Sequence, residues 1–322
     1  MWAYIVRRIL LTVPIVLGVV LITMTLFSFV AKDPARAYAG KYATARQLEQ
    51  VRARMGLDKP LWLDFSALGR GDVAKAFDTQ LFDILLFRFP DSMRYDEPLW
   101  DIINRKAPAS MMVQIPAFLI VLGIQLSLAL FAAAKRGRWP DYGITVGAVL
   151  LMSIPSLSLY LFAQWGLGKE LGVFPVAGWE DGLLALKFAA LPILVSVILG
   201  IGGGTRFYRT VMLDEMYSDY VRTARAKGVS EREVLFTHVL KNAMIPVITN
   251  TVTALPGLIL GALLLERIYQ IPGLGNLMVE ALGNNDRPVI MAMTYLLSIV
   301  YCVLVLISDI LYTLVNPQVS LK

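Results

Sequence analysis

Cysteine and histidine are nearly missing from this chain: one of each in 322 residues, Cys302 and His238. One cysteine cannot form a disulfide framework within the chain. A lone histidine with no cysteine partner near it makes no zinc constellation. Charge is also scarce, at 17% of residues. No G-x-x-x-x-G-K-[ST] phosphate loop occurs, no Ser/His/Asp set stands out, and no long low-complexity segment or internal repeat interrupts the chain. These absences speak against covalent catalysis and against nucleotide hydrolysis by the chain itself, and they predict no metal site.

What replaces them is apolar sequence. Hydrophobic residues make up 57% of the chain and the mean hydropathy is +0.63. The excess is gathered into runs of about 20 residues or more, the length an α-helix needs to cross a hydrocarbon core. The sequence predicts an all-α integral membrane protein with six transmembrane helices: Ile9–Val30, Ala107–Ala134, Tyr142–Leu167, Phe188–Gly204, Asn242–Leu265 and Val289–Val315. Ile9–Val30 competes with a cleaved signal peptide whose cleavage-like site would be Ala35-Arg36-Ala37. Its 22 residues exceed a signal core of about 7–15, which favours a span. Pro116, Pro155, Pro192 and Pro256 lie within spans, where they kink or break helices. Gly200 and Gly204 form a GxxxG that allows close helix packing.

Six spans put both termini on one side, and the lysines and arginines choose that side. With the N-terminus inside, segments 1–8, 135–141, 205–241 and 316–322 hold 13 Lys/Arg, against 4 in the two short outside loops 168–187 and 266–288. The prediction is N-in/C-in, and it accounts for the formal net charge of +6 without nucleic acid. Residues 1–30 form the first span, 31–107 a sizeable outer-face segment, and 108–322 the remaining five spans with a cytoplasmic loop at 205–245. Within the outer segment, Thr44 and Gln47 form a capping box that opens a helix at about 45–55, and Gly56 suits its C′ position. Residues 61–100 are rich in aromatics. They read either as a packed cap or as a platform for a partner.

The most informative stretch is Asp219–Pro246. Tyr220–Lys227 is rich in helix formers, Gly228 is a natural left-handed terminator, and Ser230 to Glu233 is a second capping box. Val234, Leu235, His238 and Val239 mark one face of the helix that follows. The stretch therefore reads as helix, tight turn, helix. Its first helix is too short to stand alone. Small Ala224 and Ala226 would let a partner approach, and Arg222, Arg225 and Lys227 can reach acidic groups. A DNA-binding helix-turn-helix shares these features, but a position between two spans and five acidic residues in the loop argue against it. Asn250, Thr251 and Thr253 in the fifth span either line an aqueous path or bridge helices.

These residues carry a resemblance. Arg222-Thr223-Ala224, three residues, Gly228, nine residues and then His238-Val239-Leu240-Lys241 is similar to the EAA loop of binding-protein-dependent ABC importer permeases. Arg222, Thr223, His238 and Lys241 depart from the general loop in the manner of the dipeptide/oligopeptide/nickel subgroup. Arg7-Arg8, Asp33-Pro34, Met55–Leu61, Ser153-Ile154-Pro155-Ser156 and Ile271-Pro272-Gly273-Leu274-Gly275 resemble the first permease subunit of that subgroup, so the likeness runs along nearly the whole chain. Lys32, and a longer, more hydrophobic Asp72–Arg88, depart from it.

The resemblance implies a permease subunit in a bacterial cytoplasmic membrane, without its own ATPase site and with no cofactor in this chain. ATP and Mg would be bound by partner subunits. The implied partners are a second homologous permease, two cytoplasmic ABC ATPases, an external solute-binding protein and membrane lipid. The implied coupling residues are Asp219, Tyr220, Arg222, Thr223, Ala224, Arg225, Lys227, Gly228, Ser230, Glu233 and His238. The cargo it implies is peptides or peptide-like solutes, with nickel, opine or glutathione-type solutes as the alternative. A secondary transporter or channel would call for intramembrane charge or inverted repeats, and neither is evident.

Overall fold

The computed structural model describes residues 2–30, 34–40, 42–259 and 263–315. Lys32 and Asp33 lie outside the described residues, as do the side chains of Arg8 and Pro256. In chain order the main helices are α1 (Trp2–Val30), α2 (Leu99–Ala134), α3 (Trp139–Met152), α4 (Ser156–Ala163), α5 (Ala185–Met216), α6 (Asp219–Ala226), α7 (Lys241–Ile259), α8 (Leu274–Asn284) and α9 (Arg287–Val315). No strand occurs among the described residues.

Three stretches are each long and apolar enough to cross a membrane: Leu99–Ala134, Gly182–Met216 and Arg287–Ile307. A fourth passes as a broken pair, Trp139–Met152 with Ser156–Glu170, which meet at 90°. The break is at Ser153-Ile154-Pro155. Pro155 has no N–H to give, and its ring drives Ile154 out of the helical region. Leu10–Leu26 within α1 is a shorter apolar helical stretch, and α7 has 19 residues.

Two expected boundaries move. α2 begins at Leu99, eight residues before the expected start, because Leu99–Lys106 contains no breaker and packs Leu99 and Ile102 into a core. α5 runs on past Gly204 to Met216, so the polar residues Thr205–Glu215 continue a helix and are not loop. The segment 266–288, expected as a loop, is largely helical, with Leu263–Tyr269 followed by α8. Leu274, Leu277, Met278 and Ala281 fall at helical spacing on one face and pack into the same core as Leu99 and Ile102.

The chain divides into two compact units, residues 1–108 with 273–303, and residues 109–272 with 304–322. In the first, Val16, Val20 and Met24 of α1 pack with Leu81, Ile84, Met291, Tyr295 and Cys302. The capping box at Thr44 forms as expected: Gln47 N donates to Thr44 Oγ1, and Thr44 N donates to Gln47 Oε1. Gly56 closes that helix at φ +67°. Phe87, Phe89, Trp100 and Tyr295 form one aromatic cluster, with Phe87 and Tyr295 ring centroids 5.3 Å apart. These rings touch one another, but Phe87 and Trp100 remain exposed, as do Trp62 and Phe65. Tyr95 donates to Glu280 Oε2 at 2.6 Å, and burial together with that carboxylate pushes its phenol up to about 12.

In the second unit α5 is the central element. A Cβ on Gly200 would stand 2.9 Å from Val121, and one on Gly204 would stand 2.2 Å from Gln125, both on α2. The GxxxG therefore marks a real close approach. Gly202 faces α3, where a Cβ would come within 2.6 Å of the Ala148 carbonyl oxygen. A backbone oxygen cannot step aside. Gly202→Ala should lower the unfolding free energy by about 1–3 kcal/mol. Gly203→Ala, with nothing within 4 Å, should be neutral or gain up to about 1 kcal/mol from helix propensity. Thermal unfolding of the two variants in detergent compares them directly.

Candidate functional site

The candidate site is built on the end of α5. Ser218 turns the chain, its hydroxyl donating to the Glu215 carbonyl at 2.6 Å. The eight-residue α6 then starts. An isolated helix of this length is unstable in water, so tertiary contacts must hold it. Those contacts are Val221 and Ala224, both buried, in a cluster with Ala133 of α2, Met212 of α5, and Val234, Val239 and Ala243.

Ala224 therefore faces inward. The expectation that it offers close approach to a partner is corrected: with Val221 three residues earlier it forms the helix's anchoring face. The opposite face holds Asp219, Tyr220, Arg222, Thr223, Arg225, Ala226 and Lys227, all exposed. Arg222 is 3.6 Å from Asp219 and 70% exposed, so most of its hydrogen-bonding capacity faces water. Tyr220 donates to Glu215; burial and that contact raise its pKa, which keeps it a neutral donor at any physiological pH.

Gly228 ends α6 at φ +80°. Its N–H donates to the Arg225 carbonyl at 3.0 Å, and Val229 N–H to the Ala224 carbonyl at 3.2 Å. This is a Schellman closure, and it needs a residue comfortable in the left-handed region. Arg225 then spans the turn to Glu231, with its Nε 2.8 Å from Oε1 and its Nη2 3.3 Å from Oε2. Ser230 Oγ accepts from Glu233 N, which caps the next helix. This is one half of the expected capping box; the reciprocal bond from Ser230 N to the Glu233 carboxylate is not formed among the described residues.

That helix departs from the α form at once. Val234–Leu240 is a π-helix. Its five-residue spacing brings Val234 and Val239 into the same core and leaves Leu235 and His238 half-buried. The helix then passes into α7. Phe236 is exposed and borders a shallow depression with Ser230, Arg232 and Glu233. The apolar pattern had grouped the positions on either side of Phe236 and passed over Phe236 itself.

Two supports for the site carry no local sequence signal. Asp141, at the start of α3, is buried and holds Arg209 of α5 in a two-point grip, Nε to Oδ1 at 2.5 Å and Nη2 to Oδ2 at 2.8 Å. It also accepts from Gly137 N at 3.0 Å. Arg136 lies over the Tyr217 ring at 4.6 Å. The basic loop after α2 is thereby tied to the stem that carries α6.

Of the three fifth-span candidates, two meet α5. Asn250 Nδ2 donates to Tyr208 Oη at 3.1 Å, and Thr251 Oγ1 lies 3.3 Å from the same oxygen. Thr253 is exposed, its hydroxyl turned back on the Asn250 carbonyl. Among the described residues, no group of three His, Cys, Asp or Glu could hold a metal ion.

A transmembrane scaffold with one short helix anchored inward and cationic outward is the geometry against which relatives can be read. Residues 125–321 match the family described as binding-protein-dependent transport system inner membrane component, and residues 1–114 match its N-terminal companion. The chain belongs to that family. A Brucella suis protein named as a peptide transport system permease is 32% identical over 99% of both chains. An oligopeptide transport system permease protein of Bacillus subtilis is 32% identical over 99% of this chain and 100% of its own. A glutathione transport system permease protein of Shigella flexneri is 32% identical over 99% of each. This inner membrane component is accordingly a multi-pass membrane subunit of a binding-protein-dependent transport system. Its family is a membrane permease component and not an enzyme with an ATPase site of its own.

Proposed function

We propose that this inner membrane component is a permease subunit of a peptide importer, driven from the cytoplasm through α6. The observation that carries this reading is the two-sidedness of α6. Val221 and Ala224 lock one face to the ends of α2, α5 and α7, while Arg222 and Lys227 are exposed on the other, beside Arg225 in its pair with Glu231. A helix held in this way passes on a push instead of absorbing it. A cytoplasmic ABC ATPase with an acidic groove fits that face, and the exposed Phe236 offers it an apolar contact. ATP and Mg would sit in that partner. A second permease subunit, a second ATPase and an external solute-binding protein complete the proposed assembly.

In this reading the chain crosses the membrane six times with both ends in the cytoplasm. Segment 31–107 lies outside, and 205–245 is the coupling loop. Asn250 and Thr251 bridge α7 to α5, and Thr253 is the pathway candidate among the three. The peptide assignment rests on the names of the Brucella and Bacillus relatives; the Shigella relative's name makes glutathione the second reading.

The test is co-purification with the ATPase. Arg222→Glu combined with Lys227→Glu should reduce the ATPase retained about tenfold or more, as expected for lost charge-assisted contacts. The level of the chain in the membrane and its melting should not change, since both side chains lie on the exposed face. Undiminished retention would sink the docking role of α6. The ligand carried by the cognate solute-binding protein decides between peptide and glutathione.

A further inference from the structure

Arg287, the first residue of α9, is 6% exposed, and its Nη2 is buried with no hydrogen-bond partner among the described residues. Its Nε meets only the Met291 sulfur, at 3.4 Å. The adjacent acid is engaged elsewhere. Asp286 accepts from Ser92 Oγ at 2.6 Å and from the N–H groups of Met93 and Arg94 at 3.2 Å each. A guanidinium buried without a counter-charge is strongly unfavourable, and an anionic ligand resolves it.

Arg287 lines a cavity of about 400 Å³, counting its open mouth. Arg88 borders it from an exposed position; Asp83 also lines it, but is already paired with Lys59 at 2.6 Å. Ile84 and Met291 form a wall of this cavity and of a second, smaller one that also opens to the outside. The second is lined further by Val19, Val20 and Thr23 of α1 and by Thr294 and Tyr295, whose hydroxyls, with that of Thr23, are bonded to backbone carbonyls. The space is thus cationic at one end and apolar at the other. In the six-span reading proposed above, on which this inference rests, the apolar end lies between two membrane helices, α1 and α9, and the cation stands at the start of α9, where the helix meets the level of the lipid headgroups.

We propose that this is a binding site for one membrane phospholipid, with its phosphate on Arg287 and Arg88 and the upper part of an acyl chain between α1 and α9. A phosphate diester supplies the missing counter-charge through two guanidinium N–H donors. The apolar arm distinguishes this occupant from free phosphate, which has nothing to place there.

The experiment is native mass spectrometry of the full-length chain, with its co-purifying subunits, after delipidation in mild detergent. The wild type should keep one phospholipid. Arg287→Met should reduce that retention about tenfold or more. Thr23→Phe, which fills the apolar arm and leaves Arg287 in place, should reduce it as well. Added phosphatidylglycerol should raise the melting temperature of the delipidated wild type and leave that of Arg287→Met unmoved; inorganic phosphate at equal concentration should change neither. Delipidated Arg287→Met should melt no lower than delipidated wild type, because the change removes an uncompensated cation. Equal lipid retention in wild type and variants would overturn the proposal. A lower melting point for delipidated Arg287→Met would do so by making Arg287 a structural residue. Stabilisation by inorganic phosphate alone, with Thr23→Phe still binding, would replace the lipid by a free anion.

Discussion

Asp141→Ala should destabilise the chain by about 2–3 kcal/mol, somewhat less than the roughly 3–5 kcal/mol of breaking a fully buried ion pair. The discount follows from geometry. The Asp141 side chain is 3% exposed, while that of Arg209 is 23% exposed, so the stranded guanidinium keeps some access to solvent. The loss has two parts: two charge-assisted bonds to Arg209, and the acceptor for Gly137 N that shapes the loop after α2. Removing the second charge as well, with Asp141→Ala and Arg209→Met together, should recover part of the loss, because no buried charge is then left uncompensated. Arg138→Ala, an exposed change in the same loop, should lie within about 0.5 kcal/mol of wild type. Thermal unfolding in detergent measures all three. If Asp141→Ala melts with the wild type, the grip contributes nothing. If the double variant melts no higher than Asp141→Ala, the defect is loss of the loop acceptor and not a stranded charge.

The pair also shows which parts of this protein can be read from its sequence. Features settled within a few residues of themselves are legible. Thr44 and Gln47 cap each other, Pro155 breaks a helix because of its own ring, and Gly228 terminates α6 because it lacks a Cβ. Gly200 and Gly204 predicted a close approach, since a four-residue spacing of glycines leaves a groove on one helix face. What is not legible depends on a partner far along the chain. Asp141 and Arg209 are 68 residues apart, and Asp286 reaches Ser92 across 194. Neither acid looks different from an ordinary surface acid until the fold brings its partner to it. Ala224 is an intermediate case. Its small size is evident in the sequence and suits close packing, but which neighbour packs against it depends on the rotation of α6 about its axis. The register set by Val221 decides that rotation in favour of the interior. The helix at 274–284 is hidden in the sequence for a related reason: Gly275 and Gly283 lower its local propensity, and burial of Leu274, Leu277 and Ala281 outweighs them.

The turn at Gly228 gives the second large effect, this time on function and not on folding. A Cβ placed there meets nothing within 4 Å, so a side chain has room. The penalty comes from the backbone. At φ +80° an L-residue pays about 1–2 kcal/mol, and a β-branched one sits at the unfavourable end of that range. Gly228→Val would relieve the strain by leaving the left-handed region, which breaks the bonds from Gly228 N to Arg225 and from Val229 N to Ala224. Those bonds fix the angle between α6 and the helix that runs into α7, so the path from an ATPase to the membrane loses its rigid corner. The chain should still insert in the membrane, with its Val221 and Ala224 contacts largely kept. Transport-coupled ATPase activity of the assembled complex should fall about tenfold, the value that 1–2 kcal/mol implies for the population of the competent turn. Gly228→Asn should restore most of it, because asparagine visits the left-handed region readily, and Gly228→Ala should fall between. This order, Gly above Asn above Ala above Val, follows backbone preference and not side-chain volume: Asn is larger than Ala and close to Val in size. Activities ranked by volume would mean that a partner surface presses on this position. Four equal activities would mean that force does not pass through this turn at all.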